Sequence, residues 1–204
     1  MPIAIADYVE RWATSPFRQT VQEPWLLTDR APEHIGAALN RLGGAYRLVD
    51  EAAVHETSQI ESGAMIKGPA IIGPRCFVSG SALLRGGVFL DEGCIVGPAV
   101  ELKTTFMFKG SKVAHLSFVG DSILGSDVNL EAGSIIANYR NELADKRIRI
   151  ARNDGIIDTG VIKFGALVGD GSRVGANAVI APGAVLPKGS RVGRLVLVDQ
   201  YPAN

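Results

Sequence analysis

Imidazole gains and loses a proton near neutral pH, so the three histidines of this 204-residue chain are its first candidates for chemistry. His34 falls in a helical stretch and His55 lies just ahead of a repeat, and both read as surface residues. His115 differs. It sits in an irregular segment, KGSKVAHLSF, followed by two polar clusters, Asn129 and then Asn138 with Tyr139. That grouping favours a functional role for His115 over a solvated loop histidine. The three histidines lie in unrelated contexts and do not make the converging set a zinc site needs, so no metal is expected. Cations give a second clue, because Lys67, Arg85 and Lys103 recur every 18 residues. Like charges about 5 Å apart repel by up to ~1 kcal/mol each in water. Either acids such as Glu61, Asp91 and Glu101 neutralise a solvated edge, or the ladder binds an anion, most simply a phosphate. A third group, Arg173 and Arg191 with Lys188 and Arg194, runs beside VGANAVIAPGAV. Its small residues admit a thin ligand to the backbone, although tight coils demand the same residues.

An 18-residue spacing needs an element of that period. Ile60, Ile66, Ile72, Val78, Leu84, Leu90, Val96 and Leu102 recur every six residues, as do Ile162, Val168, Val174, Ile180, Leu186, Val192 and Val198. Four residues after each marker the side chain is mostly small, and three after it stands a Gly or Asn, as at Gly93, Gly171 and Asn177. Each hexad reads as a short strand plus a turn, and three hexads close a triangular coil. Residues 18 apart then stack at about 4.8 Å. Cys76 and Cys94 stack in this way at the small inward position and read as reduced core thiols rather than a disulfide or metal pair. The frame slips by four residues between Leu102 and Leu124, which sets KGSKVAHLSF off the regular wall. It slips by two between Ile136 and Ile162, where NYRNELADKRIRIARND reads as a loop thrown out from the coils, at about 138–155. Residues 1–55 lack the hexad. Ile5, Tyr8, Val9 and Trp12 fall at helical spacing, as do Ile35, Ala38, Leu39 and Leu42, so two short helices are expected to cap the open end of a solenoid over 56–204.

Composition narrows the class. Lys plus Arg and Asp plus Glu are both 21, which argues against nucleic acid or an anionic membrane surface as the main partner. Hydrophobic residues are 47% but aromatics only 6%, with 24 Gly, as an aliphatic core with many turns requires. No apolar run approaches the roughly 20 residues of a membrane span, and MPIAIADYVERW lacks the layout of a signal peptide. A cytoplasmic location is expected.

The hexad pattern resembles the hexapeptide-repeat acyltransferases, which implies an all-β solenoid, a left-handed parallel β-helix, behind the short N-terminal helical segment. KGSKVAHLSFVGDSILGSDVNLEAGSIIANY is similar, more narrowly, to the acetyltransferase half of the bifunctional glucosamine-1-phosphate acetyltransferase and uridyltransferase family. The resemblance implies an acetyl-CoA-dependent N-acetyltransferase acting on an amino-sugar phosphate or a related nucleotide amino sugar. It puts a general base at His115, a second catalytic residue at Asn138 that orients the amine or the thioester, phosphate-holding cations at Arg85 and Lys103, and substrate contacts at Asn129 and Tyr139. The backbone amide of Ala132 would steady the thioester oxygen. Phe118 stands where the family has Tyr, keeping the ring without its hydroxyl. Arg140 opens a longer loop where the family has an acidic residue, and Lys146 corresponds to a substrate-binding Lys of that loop. Asp170 replaces a Ser near the CoA thioester, with Ala176, Lys188 and Arg191 completing the expected acyl-donor site. No Gly-rich nucleotide loop appears in 1–55, so acetyl transfer alone is implied. The family forms trimers with sites between neighbouring prisms, and exposed Val161, Leu167 and Val179 would support a homotrimer here. The alternative is a non-catalytic sugar-nucleotide-binding or scaffold solenoid.

Overall fold

The structure, a computed structural model, describes residues 3–20, 23–152 and 154–201. It is a β-solenoid of about eight turns preceded by short helices. The hexad markers other than Ile162, which is 51% exposed, point inward: Ile72, Leu84, Leu90, Val96, Leu102, Val168, Val174 and Ile180 form one continuous buried core, with Cys76 and Cys94 among them as free thiols. Each thiol donates to a backbone carbonyl, Cys76 to Asp91 at 2.8 Å and Cys94 to Phe108 at 3.2 Å.

Strands stack in parallel register on three faces. Leu84 lies over Leu102 and Arg85 over Lys103, as an 18-residue coil predicts. The next two coils are one residue shorter, since Leu102 pairs with Val119 and Val119 with Ile136. The missing residue is not lost at KGSKVAHLSF, which stays on the wall: Lys112 and Val113 pair with Ile95–Val96 below and Asn129–Leu130 above. It is lost at a different corner. There Gly86 and Gly87, at φ 70° and 94°, are succeeded by single left-handed residues, Thr104 at φ 53° and Asp121 at φ 44°. The strands Leu83–Leu90, Glu101–Met107 and Phe118–Leu124 therefore run unbroken round this corner.

The N-terminal segment does not sit on the open end. Helix α2 (Pro24–Asp29) packs on Glu101–Met107 and Phe118–Leu124, and α3 (Ala31–Leu39) on Ala70–Ile72 and Leu83–Leu90. Both lie along one side face. The end is instead edged by strand β1 (Tyr46–Val49), antiparallel to β2 (Ala52–His55), which already pairs with Ala70–Ile72 as the first rung. The expected first helix is split into α1 (Ile5–Tyr8) and a 3-10 turn over Glu10–Thr14. The physical cause is the covered face itself. Its outward column, Ile71, Phe89, Phe106, Ile123, Leu167 and Val185, is apolar and makes a second core with Trp12, Phe17, Trp25, Leu27 and Ile35. Leu167 is thus fully buried, and Val161 packs against the same core, so neither supplies an exposed trimer contact.

The insertion after Ile136 is likewise no outward loop. Leu124 pairs with Val168, 44 residues on, and the intervening chain folds back as an antiparallel hairpin of Arg149–Arg152 and Gly155–Asp158. Ile148, Ile150 and Phe164 enter the second core, where the Phe164 ring meets Trp25 edge-on at 6.2 Å. Among the described residues no helix is long and apolar enough to cross a membrane.

Candidate active site

The corner where the coils shorten gathers the first group of functional residues. Lys67, Arg85, Lys103 and Gly120 occupy one column along it. The two upper cations are not free. The Arg85 guanidinium binds the Glu101 carboxylate at 2.6 Å, and Lys103 Nζ binds Asp121 at 2.7 Å. This second pair is the deeper one, the side chains being only 17% and 6% exposed. Asn138, one coil above, donates its side-chain amide to the same Asp121 carboxylate. Gly120 makes room for it, since a Cβ there would lie 2.8 Å from both Asn138 Cγ and the Phe118 ring. Lys103, Asp121, Asn138, Phe118, Arg85 and Glu101 thus form one connected cluster. Asp121 was missed from the sequence, although it lies 18 residues beyond Lys103 and so continued the ladder's own spacing.

The insertion leaves from this corner. Tyr139 is exposed, with Lys146 Nζ 5.5 Å from its ring centre. Arg140, also missed, is 2% exposed: it holds Asp199 through two hydrogen bonds, at 2.6 and 2.9 Å, and donates to the Pro182 carbonyl at 3.0 Å. The Arg140 hydrogen bonds hold the Asp199 carboxyl below the ordinary aspartate range.

His115 lies across the same face, at its other corner. Successive turns stack there, with Gly133 N donating to His115 O at 2.9 Å and Asn177 N to Ala132 O at 3.0 Å. His115, Ala132 and Ala176 consequently form one column. His115 is exposed, and Leu116 beside it is forced to φ 58° and is 71% exposed, a position repeated by Ala99, Gly133, Asn177 and Leu195. The amide of Ala132 has no hydrogen-bond partner among the described residues, whereas that of Ala176 donates to Glu131 at 2.9 Å. That bond, with Arg194 next in importance, lowers the Glu131 pKa. Between the two corners runs the strand beginning at Phe118, flanked by Glu101 and Ile135.

The remaining expected residues lie elsewhere in the single chain. Asn129 and Arg191 are on the adjacent face, in a column with Lys112 and Arg173. Arg191 donates to the carbonyls of Gly171 and Gly189 at 2.9 and 2.7 Å. Asp170 and Lys188 are at the third corner, engaged with the N-terminal segment. Asp170 accepts from Ser126 N at 2.6 Å and Glu10 N at 2.9 Å, and Lys188 pairs with Glu10 at 3.1 Å. The structure therefore does not bring Asp170 and Lys188 to the column of Ala132 and Ala176. His34 is half-buried rather than a surface group, its Nε2 has no partner among the described residues, and desolvation lowers its pKa. Among the described residues no group of three or more His, Cys, Asp or Glu is placed to hold a metal ion.

Stacked hexads with polar side chains gathered at two corners define a hexapeptide-repeat β-solenoid. No family model matches the chain, but individual proteins do. A bifunctional sugar-1-phosphate nucleotidylyltransferase/acetyltransferase of Sulfurisphaera tokodaii is 34% identical over 146 residues, 72% of this chain and 36% of that protein. The bifunctional protein GlmU of Heliobacterium modesticaldum is 34% identical over 163 residues, 77% of this chain and 32% of that one. Among solved structures, the perosamine N-acetyltransferase of Caulobacter crescentus aligns at a TM-score of 0.41 and 13% identity, over 75% of this chain and 55% of that chain. That likeness adds nothing to what the sequence relatives show. The chain belongs to the hexapeptide-repeat acyltransferase family, whose fold is the left-handed parallel β-helix. It spans about a third of the length of the relatives it matches.

Proposed function

We propose that the protein is an acetyl-CoA-dependent N-acetyltransferase whose acceptor is an amino-sugar phosphate or a nucleotide-linked amino sugar. One observation carries this reading: a single prism face bears an exposed imidazole, unpaired among the described residues, at one edge and a cation and amide cluster at the other, with the Phe118 ring between. His115 takes a proton from the acceptor's attacking amine as its nitrogen adds to the thioester carbonyl. The free amide of Ala132 donates to the oxygen that becomes negative, a stabilisation present before the reaction begins. Collapse of the adduct breaks the C–S bond, and the proton leaves with the CoA thiol. Arg85 and Lys103 hold the acceptor's phosphate, converting its binding energy into position for the nitrogen. Tyr139 and Lys146 border this path at the cation corner, and Asn129 stands on the adjacent face. Acyl-donor contacts are placed at Ala132, Ala176 and Arg191, with Asp170 and Lys188 left to the N-terminal segment.

A homotrimer is part of the proposal. Among the described residues the insertion and helices cover one face, leaving two faces and the Leu116 and Leu195 corner for packing against copies of the chain. The second reading is a non-catalytic solenoid that binds sugar nucleotides. It is favoured by the acids that already occupy both cations. Thiol release from acetyl-CoA, measured with a panel of amino-sugar phosphates and nucleotide amino sugars, decides between them. Acceptor-dependent release is expected, and none with any amino sugar rejects the enzyme.

A further inference from the structure

An asparagine beside a reacting amine can serve in two opposite ways, accepting from the amine or donating to the thioester oxygen. The surroundings of Asn138 distinguish them. An ionised carboxylate only accepts hydrogen bonds, so the side-chain NH2 of Asn138 must face Asp121, and the assignment of its oxygen and nitrogen follows. Asp121 cannot turn away, because Lys103 Nζ holds it at 2.7 Å and its own carbonyl accepts from Gly165 N at 2.8 Å. The Asn138 amide and the tip of the Phe118 ring both lie beside Gly120, where a Cβ would come within 2.8 Å of each. The backbone of Asn138 is fixed as well, its carbonyl accepting from Phe164 N at 3.1 Å where the insertion closes. Among the described residues nothing donates to Asn138 Oδ1.

We infer that Asp121, held between Lys103 and the Asn138 side chain, is a positioning residue that presents Asn138 Oδ1 as a hydrogen-bond acceptor for the acceptor sugar's amine. The inference rests on the acetyltransferase reading above and specifies what that reading leaves open. Asn138 orients the nucleophile, its N–H pointing to Oδ1 and its lone pair turned to the thioester. Stabilising the oxyanion is left to the Ala132 amide. Lys103 is shared between the substrate's phosphate and Asp121, so phosphate binding and amine alignment meet in one hydrogen-bonded unit.

The test exchanges the two side chains. Asp121→Asn should lower turnover by about 10- to 100-fold, as for loss of a hydrogen bond to a charged group, with little change in the KM for acetyl-CoA. Asn138→Asp alone should do at least as much, because two carboxylates then face each other. The combined Asp121→Asn, Asn138→Asp variant restores one donor to one carboxylate and still offers an oxygen to the amine. It should recover to within about tenfold of the parent. A side chain that donated to the thioester would not be rescued by this exchange. A folded combined variant no better than the poorer single one therefore overturns the acceptor role. An independent readout is the isotope-labelled side-chain amide resonance of Asn138, assigned by its disappearance in Asn138→Asp. It should shift and exchange faster in Asp121→Asn, and an unchanged resonance refutes the contact whatever the activity. Absence of thiol release by the parent with every amino sugar would instead remove the parent reading and the acceptor role with it, while the resonance still reports the Asp121 contact.

Discussion

Arg140 and Asp199 allow an asymmetric prediction, because removing either partner breaks the same ion pair but leaves different groups behind. Asp199→Ala strands a guanidinium that is 2% exposed. It keeps the Pro182 carbonyl at 3.0 Å and the half-exposed Glu142 at 3.2 Å. Removing one partner of a buried pair costs about 3–5 kcal/mol, and the two surviving contacts put this case near ~3. Arg140→Met leaves instead a carboxylate that is 17% exposed, can hydrate, and still accepts from Tyr201 N at 3.0 Å, while Met fills the vacated volume. The expected loss is ~1 kcal/mol. For a chain of this size these values correspond to roughly 6–12 °C and 2–4 °C in Tm, read by thermal unfolding at one fixed protein concentration. The pH dependence follows from the depressed pKa of Asp199, caused chiefly by its hydrogen bonds from Arg140. A carboxyl with a lowered folded pKa contributes stability that is complete above its unfolded value, about 3.9, and is lost as pH falls toward the folded one. The gap between the parent and Arg140→Met should therefore be full at pH 6 and shrink below about pH 4. Equal losses for the two variants, or a larger loss for Arg140→Met, would refute the claim that the guanidinium is the member that cannot be left unpaired.

His115→Ala should lower turnover by about 100-fold or more while leaving acetyl-CoA binding intact, read by thiol release and by calorimetry. Arg85→Ala should weaken binding of a phosphorylated acceptor by roughly 10- to 150-fold, measured by calorimetry, with little loss of stability because its partner Glu101 can hydrate. Lys103→Ala should weaken it similarly and also lower Tm, since the Asp121 carboxylate, almost fully buried, is left without its cation. Phe164→Ala should cost about 3–5 kcal/mol and change the fluorescence of Trp25, which its ring contacts.

The inward half of the fold was legible because the hexad acts through local sterics. A branched aliphatic every six residues and a small residue at the corner are visible one rung at a time, and the stacking of Arg85 on Lys103 follows by counting. What failed was counting across a change of period. Met107 is a buried marker five residues after Leu102, so a strict search for six places a break downstream, at His115, that is in fact regular. The coil shortens at Thr104 and Asp121 instead. Pairings made at long range were not legible either. Nothing near Arg140 in sequence shows that it meets Asp199, 59 residues away, or that Ile148 and Phe164 are core residues inside a polar stretch. The covered face was hidden for the same reason: Phe89, Phe106 and Ile123 point outward from the coil, and their burial depends on helices from the other end of the chain.

The placement of the polar cluster has a structural reason. In a regular coil each rung commits its N–H and C=O groups to the rungs above and below, and the outward side chains form straight columns that repeat one environment. Specific geometry requires that a column be broken. Here the ladder of cations ends at Gly120, and the shortened corner turns Asp121 toward Lys103. The insertion begins one coil higher, at the next opportunity. Its two ends are tied by the bond from Phe164 N to Asn138 O, and Gly165 N then rejoins the solenoid at Asp121 O. Asn138 is therefore fixed by the coil beneath it and by the insertion above it. Length changes at Asp154 should leave that frame untouched, whereas changes that loosen Phe164 or Arg140 act at its base. The long insertion is in this sense a support for the corner rather than an ornament of the loop, and it shares its hydrophobic anchor with the N-terminal helices that cover the neighbouring face.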